Sequence, residues 1–294
     1  MSIELRNVSY VYNSGTSFEK TALRDINIKI EPGEFVGIIG HTGSGKSTLI
    51  QHFNALLPPT EGLVLLNGED INADKNRLKD VRRRVGLVFQ YPEHQLFEVS
   101  VYKDVAFGLK LMSLEHLEAD RRVRAALSAV GICEDYYEKS PFELSGGEKR
   151  RVAIAGVLAM EPEILILDEP TAGLDPRGRD EILSQIKHMR EELKITVILV
   201  SHSMEDVARL VDRVFVLNNG EIALSGTVGE VFSRAGELEA MGLSAPQITY
   251  LMKELAASGF NVRENIYTVE EAAKELLSLW ESREKQGYSN FTKR

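Results

Sequence analysis

The sequence predicts an α/β fold in which helices cover both faces of a parallel sheet. Three short, continuously apolar runs carry this prediction, at residues 35–39, 164–167 and 196–200. Such runs are typical of strands that are buried on both faces of a parallel sheet. The first two runs are followed by segments with helical spacing of apolar residues, over residues 48–57 and 177–193. Alternation of strand and helix is what βαβ units require.

Further regions precede, interrupt and follow this core. Residues 3–12 and 23–30 partly alternate apolar with polar side chains, which predicts half-buried antiparallel strands. Residues from about 91 to 160 are largely helical in pattern, and we expect them to form a helical insertion. Beyond about residue 236 the composition changes to short helical stretches. We therefore expect a main domain over residues 1–235 and a small α-rich extension over residues 236–294.

Composition excludes several classes of protein. The 294 residues include 35 Lys and Arg against 44 Asp and Glu, and the net charge of -9 argues against a nucleic-acid partner. A single cysteine, Cys133, excludes an intramolecular disulfide and any multi-cysteine metal site, as is typical of the reducing cytoplasm. No apolar run approaches the ~18–20 residues that span a bilayer, and the opening MSIELRN lacks an export segment. We therefore expect the chain to stay inside the cell, free to dock on a membrane protein.

A glycine-rich loop after the first apolar run carries the strongest chemical signal. Residues 40–47 read GHTGSGKS and match G-x-x-x-x-G-K-[ST], a pattern that arises by chance in about 1% of chains this long. Glycines let successive backbone N–H groups face a phosphate, and the positive end of the following helix points at the same anion. Lys46 would add a full positive charge, and Ser47 would ligate Mg²⁺. The residues expected to contact the nucleotide here are Gly40, His41, Thr42, Gly43, Ser44, Gly45, Lys46, Ser47 and Thr48.

Two adjacent carboxylates follow the second apolar run. Asp168 and Glu169 lie at the carboxyl end of a predicted buried strand, where ligands of open α/β sheets bind. We expect Asp168 to hold the shell of a bound Mg²⁺ and Glu169 to polarise an attacking water. Positioning of the nucleophile by such a base is what phosphoryl transfer requires.

A second candidate phosphate cradle lies at residues 144–148, LSGGE, where Ser145, Gly146 and Gly147 open a predicted helix. One nucleotide does not need two cradles from the same chain. Together with the phosphate loop, LSGGEKRRVAIA resembles the signature of the ATP-binding cassette superfamily. The resemblance implies a P-loop fold with a RecA-like core, an antiparallel β subdomain and a helical signature subdomain. It also implies that ATP is sandwiched between the phosphate loop of one subunit and the signature of another.

The same resemblance implies roles for further residues. Tyr12 resembles the aromatic residue that stacks on adenine, with Tyr10 as its competitor, and Gln90 resembles the glutamine that senses Mg²⁺ and the membrane partner. Asp175 ends the segment 172–175, which resembles the loop that crosses the dimer interface. His202 resembles the switch histidine that contacts the γ-phosphate and holds the catalytic carboxylate. The implied cofactors are ATP and Mg²⁺, the implied catalytic residues are Lys46, Gln90, Glu169 and His202, and the implied metal ligands are Ser47, Gln90 and Asp168.

Three longer segments resemble one branch of the superfamily, the energy-coupling factor transporter ATPases. They read GHTGSGKSTLIQHFNALLPPTEG, FQYPEHQLFEVSVYKDVAFG and SPFELSGGEKRRVAIAGVLAMEPEILILDEPTAGLDPRGR. His41 and the QHFNALL helix resemble the second of two paralogous ATPases in that branch. The resemblance implies a peripheral protein on the cytoplasmic face of the cell membrane that powers uptake of a vitamin or of cobalt or nickel. Its implied partners are a paralogous ATPase or a second copy of itself, an integral membrane coupling subunit and, indirectly, a substrate-binding membrane subunit.

Two surfaces are expected to meet these partners. The first is the segment 90–98, where apolar side chains and the carboxylates of Glu93 and Glu98 suit an arginine-bearing helix of the coupling subunit; the alternative is a solvated acidic turn. The second is the extension, which we expect to hold two ATPases together when ATP is absent, unless its apolar faces pack within the chain. Its candidate contact residues are Leu251, Leu255, Leu276, Leu277, Leu279 and Trp280.

Each motif taken alone also has a structural alternative. Residues 40–47 and 145–147 suit ordinary turns, Asp168 suits a helix cap, and Tyr12 and His202 suit a strand aromatic and a core histidine. For the whole chain, the alternative function is a soluble cassette ATPase that acts without a transported substrate. A P-loop kinase is disfavoured, because it leaves LSGGE and His202 without a role.

Overall fold

A computed structural model describes residues 1–291 of the chain, with side chains through Glu281. The strands are β1 (Ile3–Tyr12), β2 (Lys20–Ile30), β3 (Phe35–Ile39), β4 (Glu61–Leu66), β5 (Glu69–Asp70), β6 (Val85–Val88), β7 (Ile164–Asp168), β8 (Thr196–Val200), β9 (Arg213–Asn218) and β10 (Glu221–Thr227). The helices are α1 (Lys46–Phe53), α2 (Leu78–Arg84), α3 (Val101–Ala106), α4 (His116–Ala129), α5 (Gly146–Leu158), α6 (Pro176–Leu193), α7 (Met204–Leu210), α8 (Val228–Phe232), α9 (Ala235–Ala240), α10 (Gln247–Ala257) and α11 (Val269–Phe291).

Six strands form the central sheet, in the order β10-β9-β3-β8-β7-β6. The neighbours from β9 to β6 pair in parallel, and only β10 runs antiparallel to its neighbour within this sheet. The three apolar runs of the sequence are β3, β7 and β8, and every residue of these strands is buried. The predicted α/β fold is confirmed. Because β3, β7 and β8 are parallel neighbours, the segments that follow them meet at one edge of the sheet.

A four-stranded antiparallel sheet, in the order β2-β1-β4-β5, lies beside the central one. The alternating segments of the sequence supply its first two strands, β1 and β2. Buried residues of this sheet, such as Leu5 and Val64, join Leu49 and Phe53 of α1 in one hydrophobic cluster. Burial of apolar side chains at about 25 cal/mol per Å² is the main term that fixes this sheet over the helix. The phosphate loop therefore lies between β3 of the central sheet and a helix, α1, that packs against the antiparallel sheet.

The helix after the phosphate loop ends earlier than the sequence predicts. Apolar spacing predicts helix over residues 48–57, whereas α1 ends at Phe53. Ala55 adopts a left-handed φ of 54°, and the backbone N–H groups of Leu56 and Leu57 both donate to the carbonyl oxygen of Gln51. The chain therefore turns back on the helix end, and the apolar residues that follow are not part of the helix.

Helices α3, α4 and α5 lie within the segment predicted to be helical. Their buried residues, among them Val105, Leu127 and Val152, belong to the same hydrophobic cluster as Leu165 and Leu199 of the central sheet. The helical segment is thus packed onto the parallel sheet rather than separate from it. This packing fixes α5 relative to the segments that follow β7 and β8.

The extension packs against the main core and also forms a small cluster of its own. Leu238 and Ala245 are buried in the main hydrophobic cluster, whereas Met252, Ile266 and Ala272 form a small cluster of their own. Helices α10 and α11 also expose large apolar side chains, with relative exposures of 45% for Leu251, 63% for Leu277 and 65% for Trp280. Across the described residues, every helix is too short or too polar to cross a membrane.

Candidate functional site

The phosphate loop depends on glycine at several positions. It joins β3 to α1, and Gly43 and Gly45 adopt φ values of 84° and 108°, which L side chains rarely adopt. A Cβ on Gly40 would lie 2.3 Å from the carbonyl oxygen of Leu217, and one on Gly45 would lie 2.7 Å from that of Ala22. The loop therefore packs tightly against the backbone of β9 and β2 at these two glycines, where no larger residue would fit.

Lys46 lies over this loop at the start of α1. Its Nζ donates hydrogen bonds to the carbonyl oxygens of Gly40, at 2.7 Å, and His41, at 3.1 Å. Burial lowers the pKa of Lys46, while the carboxylates of Glu169 and Asp168 oppose that effect. The ammonium group is thus held between the loop and two acidic side chains, where a phosphate would meet a positive charge.

The two carboxylates at the end of β7 have different surroundings. Asp168 is 7% exposed, and its pKa is raised to about 6 by burial and then by the neighbouring Glu169, with Lys46 lowering it. Glu169 has a left-handed φ of 50°, and its Oε2 lies 2.7 Å from Nδ1 of His202. An ionised carboxylate only accepts hydrogen bonds, so Nδ1 donates and the carboxylate orientation is fixed by the histidine.

One cavity of about 960 Å³ brings most of the predicted site residues together. Of the two candidate tyrosines, Tyr12 lines it and has its hydroxyl 3.1 Å from Oγ1 of Thr48, whereas Tyr10 packs against His52. Ser44 belongs to the loop, but its side chain is buried beneath it. The predicted residues that line the cavity are Tyr12, Gly40, His41, Thr42, Gly43, Gly45, Lys46, Ser47, Thr48, Gln90, Asp168, Glu169 and His202.

Other parts of the wall were not predicted. Asn219 and Gly220 form a turn between β9 and β10, and the N–H of Gly220 donates to the carbonyl oxygen of Ser44 at 2.9 Å. The Asn-Gly dipeptide signals a turn, but not where the turn packs. Residues 242–244, at the start of the extension, also line the cavity together with Met204. No sequence pattern reports such a long-range approach.

The signature residues and Asp175 lie outside the described lining of this cavity. Ser145 caps α5 by accepting from the N–H of Glu148, and Glu148 accepts from the N–H of Ser145 in return. A Cβ on Gly146 or Gly147 would meet no described atom within 4 Å beyond the neighbouring residues and the backbone of the same helix. Asp175 caps α6 by accepting from the N–H of Gly178 at 2.8 Å. The start of α1 therefore lines the cavity, whereas the start of α5 lies outside it.

Comparison with known proteins assigns the chain to a family. The ABC transporter family profile matches residues 23–172. The energy-coupling factor transporter ATP-binding protein EcfA2 of Clostridium tetani is 55% identical over 284 residues, which are 96% of this chain and 99% of that protein. This chain belongs to the energy-coupling factor transporter ATPases. The EcfA2 protein of Acetivibrio thermocellus is similarly close, with 57% identity over 94% of this chain and 98% of that protein.

Solved structures agree with this energy-coupling factor ATPase assignment. The structure of cbiO1 from Clostridium perfringens, described as part of the ABC transporter complex cbiONQ, is 43% identical with a TM-score of 0.74 and covers 85% of this chain and 98% of that one. A dimeric ATP-binding cassette bound to ADP and Pi is 32% identical with a TM-score of 0.68, covering 77% of this chain and 98% of that one. Membership of this transporter family confirms that the chain is an ATP-binding ATPase and excludes the soluble alternative.

Replacing Asp168 by asparagine is expected to stabilise the nucleotide-free energy-coupling factor ATPase at pH 8. The pKa of Asp168 is about 6 in the folded chain against an ordinary value of 3.8, so its ionised form opposes folding above pH 6. Two pKa units correspond to at most about 3 kcal/mol of unfolding free energy. The gain should fade as the pH falls through 6 and vanish below about 3.8, as measured by chemical denaturation at each pH.

The matched control for this prediction is Asp180→Asn. Asp180 lies on α6 with its side chain 69% exposed, so its replacement should leave the free energy of unfolding nearly unchanged. An Asp168→Asn chain that is less stable than wild type at pH 8 would show that the carboxylate supports the fold instead of opposing it.

Proposed function

We propose that this ATPase hydrolyses Mg²⁺-ATP at an interface with a second cassette and thereby drives uptake of a vitamin or of a cobalt or nickel ion across the cell membrane. The observation that carries the proposal is the 2.7 Å contact between His202 and Glu169 in the cavity that also holds Lys46 and Asp168. A base held by a histidine beside a phosphate cradle suits the positioning of a water against a terminal phosphate. The second cassette would be a paralogous ATPase or a second copy of this chain.

The residues that would hold Mg²⁺ are Ser47, Gln90 and Asp168. They offer a hydroxyl, an amide and a carboxylate oxygen, and hard oxygen donors are what Mg²⁺ prefers. The raised pKa of Asp168 also supports the fit, because the buried carboxylate beside Glu169 has more negative charge around it than Lys46 offsets. When bound with ATP, Mg²⁺ would neutralise charge on the transferred phosphate.

The chain's own residues would divide the remaining work. The phosphate loop and Lys46 would grip the phosphates of ATP, and Tyr12 would stack on the adenine. Glu169 would orient the attacking water and accept its proton at the carboxylate, while His202 keeps that carboxylate in place. Gln90 would report occupancy of the site to the docking surface that follows it.

The signature of this chain would serve the other ATP site. Ser145 caps α5, and the space beside Gly146 and Gly147 holds no described atom from outside their own helix turn within 4 Å of a Cβ. A helix start of this kind attracts an anion. Because these residues lie outside the cavity of their own chain, they would close on ATP held by the second cassette. Asp175 would cross the interface beside them.

The proposed docking site for the membrane coupling subunit is more apolar than the sequence predicts. Glu93 pairs with Arg150 at 2.6 Å, and Glu98 pairs with Lys110 at 2.8 Å, so both expected carboxylates already have cationic partners within the chain. Beside them, Phe97 is 57% exposed and packs edge-on against Phe107 with ring centroids 4.8 Å apart. Tyr91 within the predicted segment, Val99 directly after it and Phe107 beneath Phe97 are also exposed apolar side chains, and together with Phe97 they form the docking surface.

Replacing Phe97 by aspartate is expected to detach this ATPase from its membrane partner. An exposed aromatic anchor that becomes buried in an interface typically contributes about 2 kcal/mol or more, so recovery of integral membrane subunits with the tagged chain should fall at least about tenfold. Co-purification from detergent-solubilised membranes measures this, with ATP hydrolysis by the isolated ATPase pair as the second readout.

The matched control is Phe18→Asp, because Phe18 is 80% exposed in the turn between β1 and β2. The Phe18→Asp variant should co-purify with the membrane subunits as the wild type does. Full recovery of those subunits with Phe97→Asp would place the docking site elsewhere, and loss of hydrolysis in the isolated pair would point to damage of the ATP site. Attachment through this surface would make the protein peripheral at the cytoplasmic face of the membrane, with the substrate-binding subunit reached only indirectly.

The proposed domains are a cassette domain over residues 1–235, with a helical subdomain at about 91–160, and an extension over residues 236–294. The extension is proposed to hold the two ATPases together when ATP is absent. Leu251, Leu277 and Trp280 are exposed on α10 and α11, and exposed apolar faces of this kind favour an interface. Leu255 packs against the extension's own small cluster instead. Leu276 and Leu279 are partly exposed.

Replacing Leu277 and Trp280 together by glutamate is expected to lower the fraction of nucleotide-free dimer at least about tenfold, because charges would be buried in the contact. Sedimentation velocity of the nucleotide-free ATPase pair measures the dimer fraction. Leu193→Glu, at the end of α6 where Leu193 is 46% exposed, is the control and should keep the dimer. An unchanged dimer fraction in the folded double variant would contradict a role of the extension in dimerisation.

A further inference from the structure

Arg150 is the largest fully buried side chain of the described residues, with a relative exposure of 1%. It lies on α5, three residues after Gly147 of the signature. Its Nε and Nη2 donate to the carboxylate of Glu93 at 3.0 and 2.6 Å. Its Nη1 donates to the carbonyl oxygens of Pro170, at 3.0 Å, and Ala172, at 2.7 Å. One guanidinium group on α5 therefore joins two other segments to this helix, the turn that contains Glu93 and the segment 170–172.

Both segments adjoin residues of the proposed ATP site. Glu93 lies three residues after Gln90, and Pro170 directly follows Glu169. Ala172 begins the segment 172–175 that ends at the cap of α6. Gln90, Glu169 and Asp175 themselves form no described hydrogen bond with Arg150. The arginine would therefore act on them through their neighbours in the chain.

A stacking contact reinforces the same junction. The guanidinium carbon of Arg150 lies 5.8 Å from the ring centroid of Tyr91, within the range of a cation–π interaction. Tyr91 adopts a left-handed φ of 54°, and its ring packs beside Gly173, where a Cβ would lie in van der Waals contact, 3.4 Å from Cε1. The turn after Gln90 is thus fitted between the signature helix and the segment after Glu169.

The chemistry of the junction requires both members of the ion pair. A buried charge is costly unless it is paired and hydrogen-bonded, and a bidentate arginine–carboxylate pair meets both conditions. Burial raises the pKa of Glu93, but the hydrogen bonds from Arg150 and from the backbone lower it below its ordinary value overall. Glu93 therefore stays ionised at neutral pH, and loss of either partner leaves the other uncompensated.

We propose that Arg150 is a positioning residue that ties the turn after Gln90 and the segment after Glu169 to the signature helix, so that the three move as one unit. The inference rests on the roles proposed above for Gln90 and Glu169. A displacement at the docking surface around Phe97 would then reach the water-orienting carboxylate and the signature together. An uncharged side chain at position 150 would leave each segment free to move alone.

The test is a double-substitution cycle in the assembled transporter complex. Arg150→Gln and Glu93→Gln are each expected to lower kcat about tenfold or more while the KM for ATP changes less than about twofold, because the phosphate loop and Lys46 are untouched. The double variant should be no slower than the slower single variant, since the two side chains act as a unit. Arg150→Lys should recover part of the rate, because it keeps the charge but not the fork of hydrogen bonds.

The control for a merely structural effect is Arg122→Gln. Arg122 is also nearly buried and paired with two carboxylates, those of Glu118 and Glu161, but it joins α4 to the loop after α5. It should keep kcat within about twofold of wild type, and the amount of ATP bound per chain corrects every rate for the folded fraction.

Three results would overturn the proposal. They are a kcat for Arg150→Gln that matches that of Arg122→Gln, multiplicative effects of Glu93→Gln and Arg150→Gln in the double variant, or a loss confined to KM. Glu169→Gln is measured beside these variants. If Glu169→Gln keeps the wild-type rate, the proposed catalytic site is wrong. If Glu169→Gln loses turnover while Arg150→Gln keeps the wild-type rate, only the positioning role is contradicted.

Discussion

Replacing Glu169 by glutamine is expected to abolish most ATP hydrolysis while ATP still binds. Glutamine keeps the size of the side chain but removes the basic carboxylate, and loss of a general base typically costs about 100-fold to 10,000-fold in rate. The phosphate loop and Lys46 are unchanged, so the dissociation constant for ATP should stay within about twofold of wild type. Turnover by the assembled complex and ATP titration of the same sample measure the two quantities.

Two further variants serve as comparisons for Glu169→Gln, one that weakens ATP binding and one matched control. Lys46→Ala should also stop turnover, but by weakening the binding of the phosphates, because it removes the cation that lies over the loop. Glu163→Gln removes a carboxylate before the amino end of β7, where Glu163 pairs with Arg84, and should keep the wild-type rate. Turnover by Glu169→Gln within about twofold of wild type would assign the catalytic base to another group.

Replacing Gly147 by aspartate is expected to stop hydrolysis of the ATP that is bound to the phosphate loop of the second cassette. A Cβ at this position meets no described atom within 4 Å beyond the neighbouring residues and the backbone of its own helix, so the substitution should leave the fold intact. In the closed dimer, the new carboxylate would face the γ-phosphate held by the second cassette and repel it. Turnover should fall at least about 100-fold at that site, while ATP binding at this chain's phosphate loop stays within about twofold.

The neighbouring Gly146 is unsuitable as a control, because it belongs to the same helix start. Glu143→Asp, in the turn before the signature, keeps the charge in place and should retain turnover. If Gly147→Asp lowers the affinity of its own chain for ATP, the signature acts within the chain and the interface site is wrong.

Local patterns explain why the core of the fold was predictable. The strands β3, β7 and β8 are continuously apolar because both of their faces are buried, and the glycines at positions 43 and 45 are required by positive φ values. Both signals lie within a few residues along the chain. They therefore predict the sheet, the phosphate loop and the carboxylates at the end of β7 without any knowledge of tertiary contacts.

Long-range contacts explain what the sequence did not predict. Arg150 and Glu93 are 57 residues apart, and the partners of a buried arginine cannot be inferred from the composition of its helix. The same limit applies to residues 242–244 in the cavity wall and to the choice between Tyr10 and Tyr12, which are two residues apart on one strand. That choice depends on which ring packs against His52, a contact between β1 and α1.

The central claim is that each ATP site is built from two cassettes, and paired substitutions test it most directly. In one arrangement, Gly147→Asp and Lys46→Ala are both on this chain; in the other, Gly147→Asp is on this chain and the corresponding lysine substitution is on the second cassette. Shared sites predict that the first arrangement damages both sites and stops turnover, whereas the second damages one site twice and leaves the other intact. Turnover that survives in the first arrangement and is lost in the second would contradict the claim.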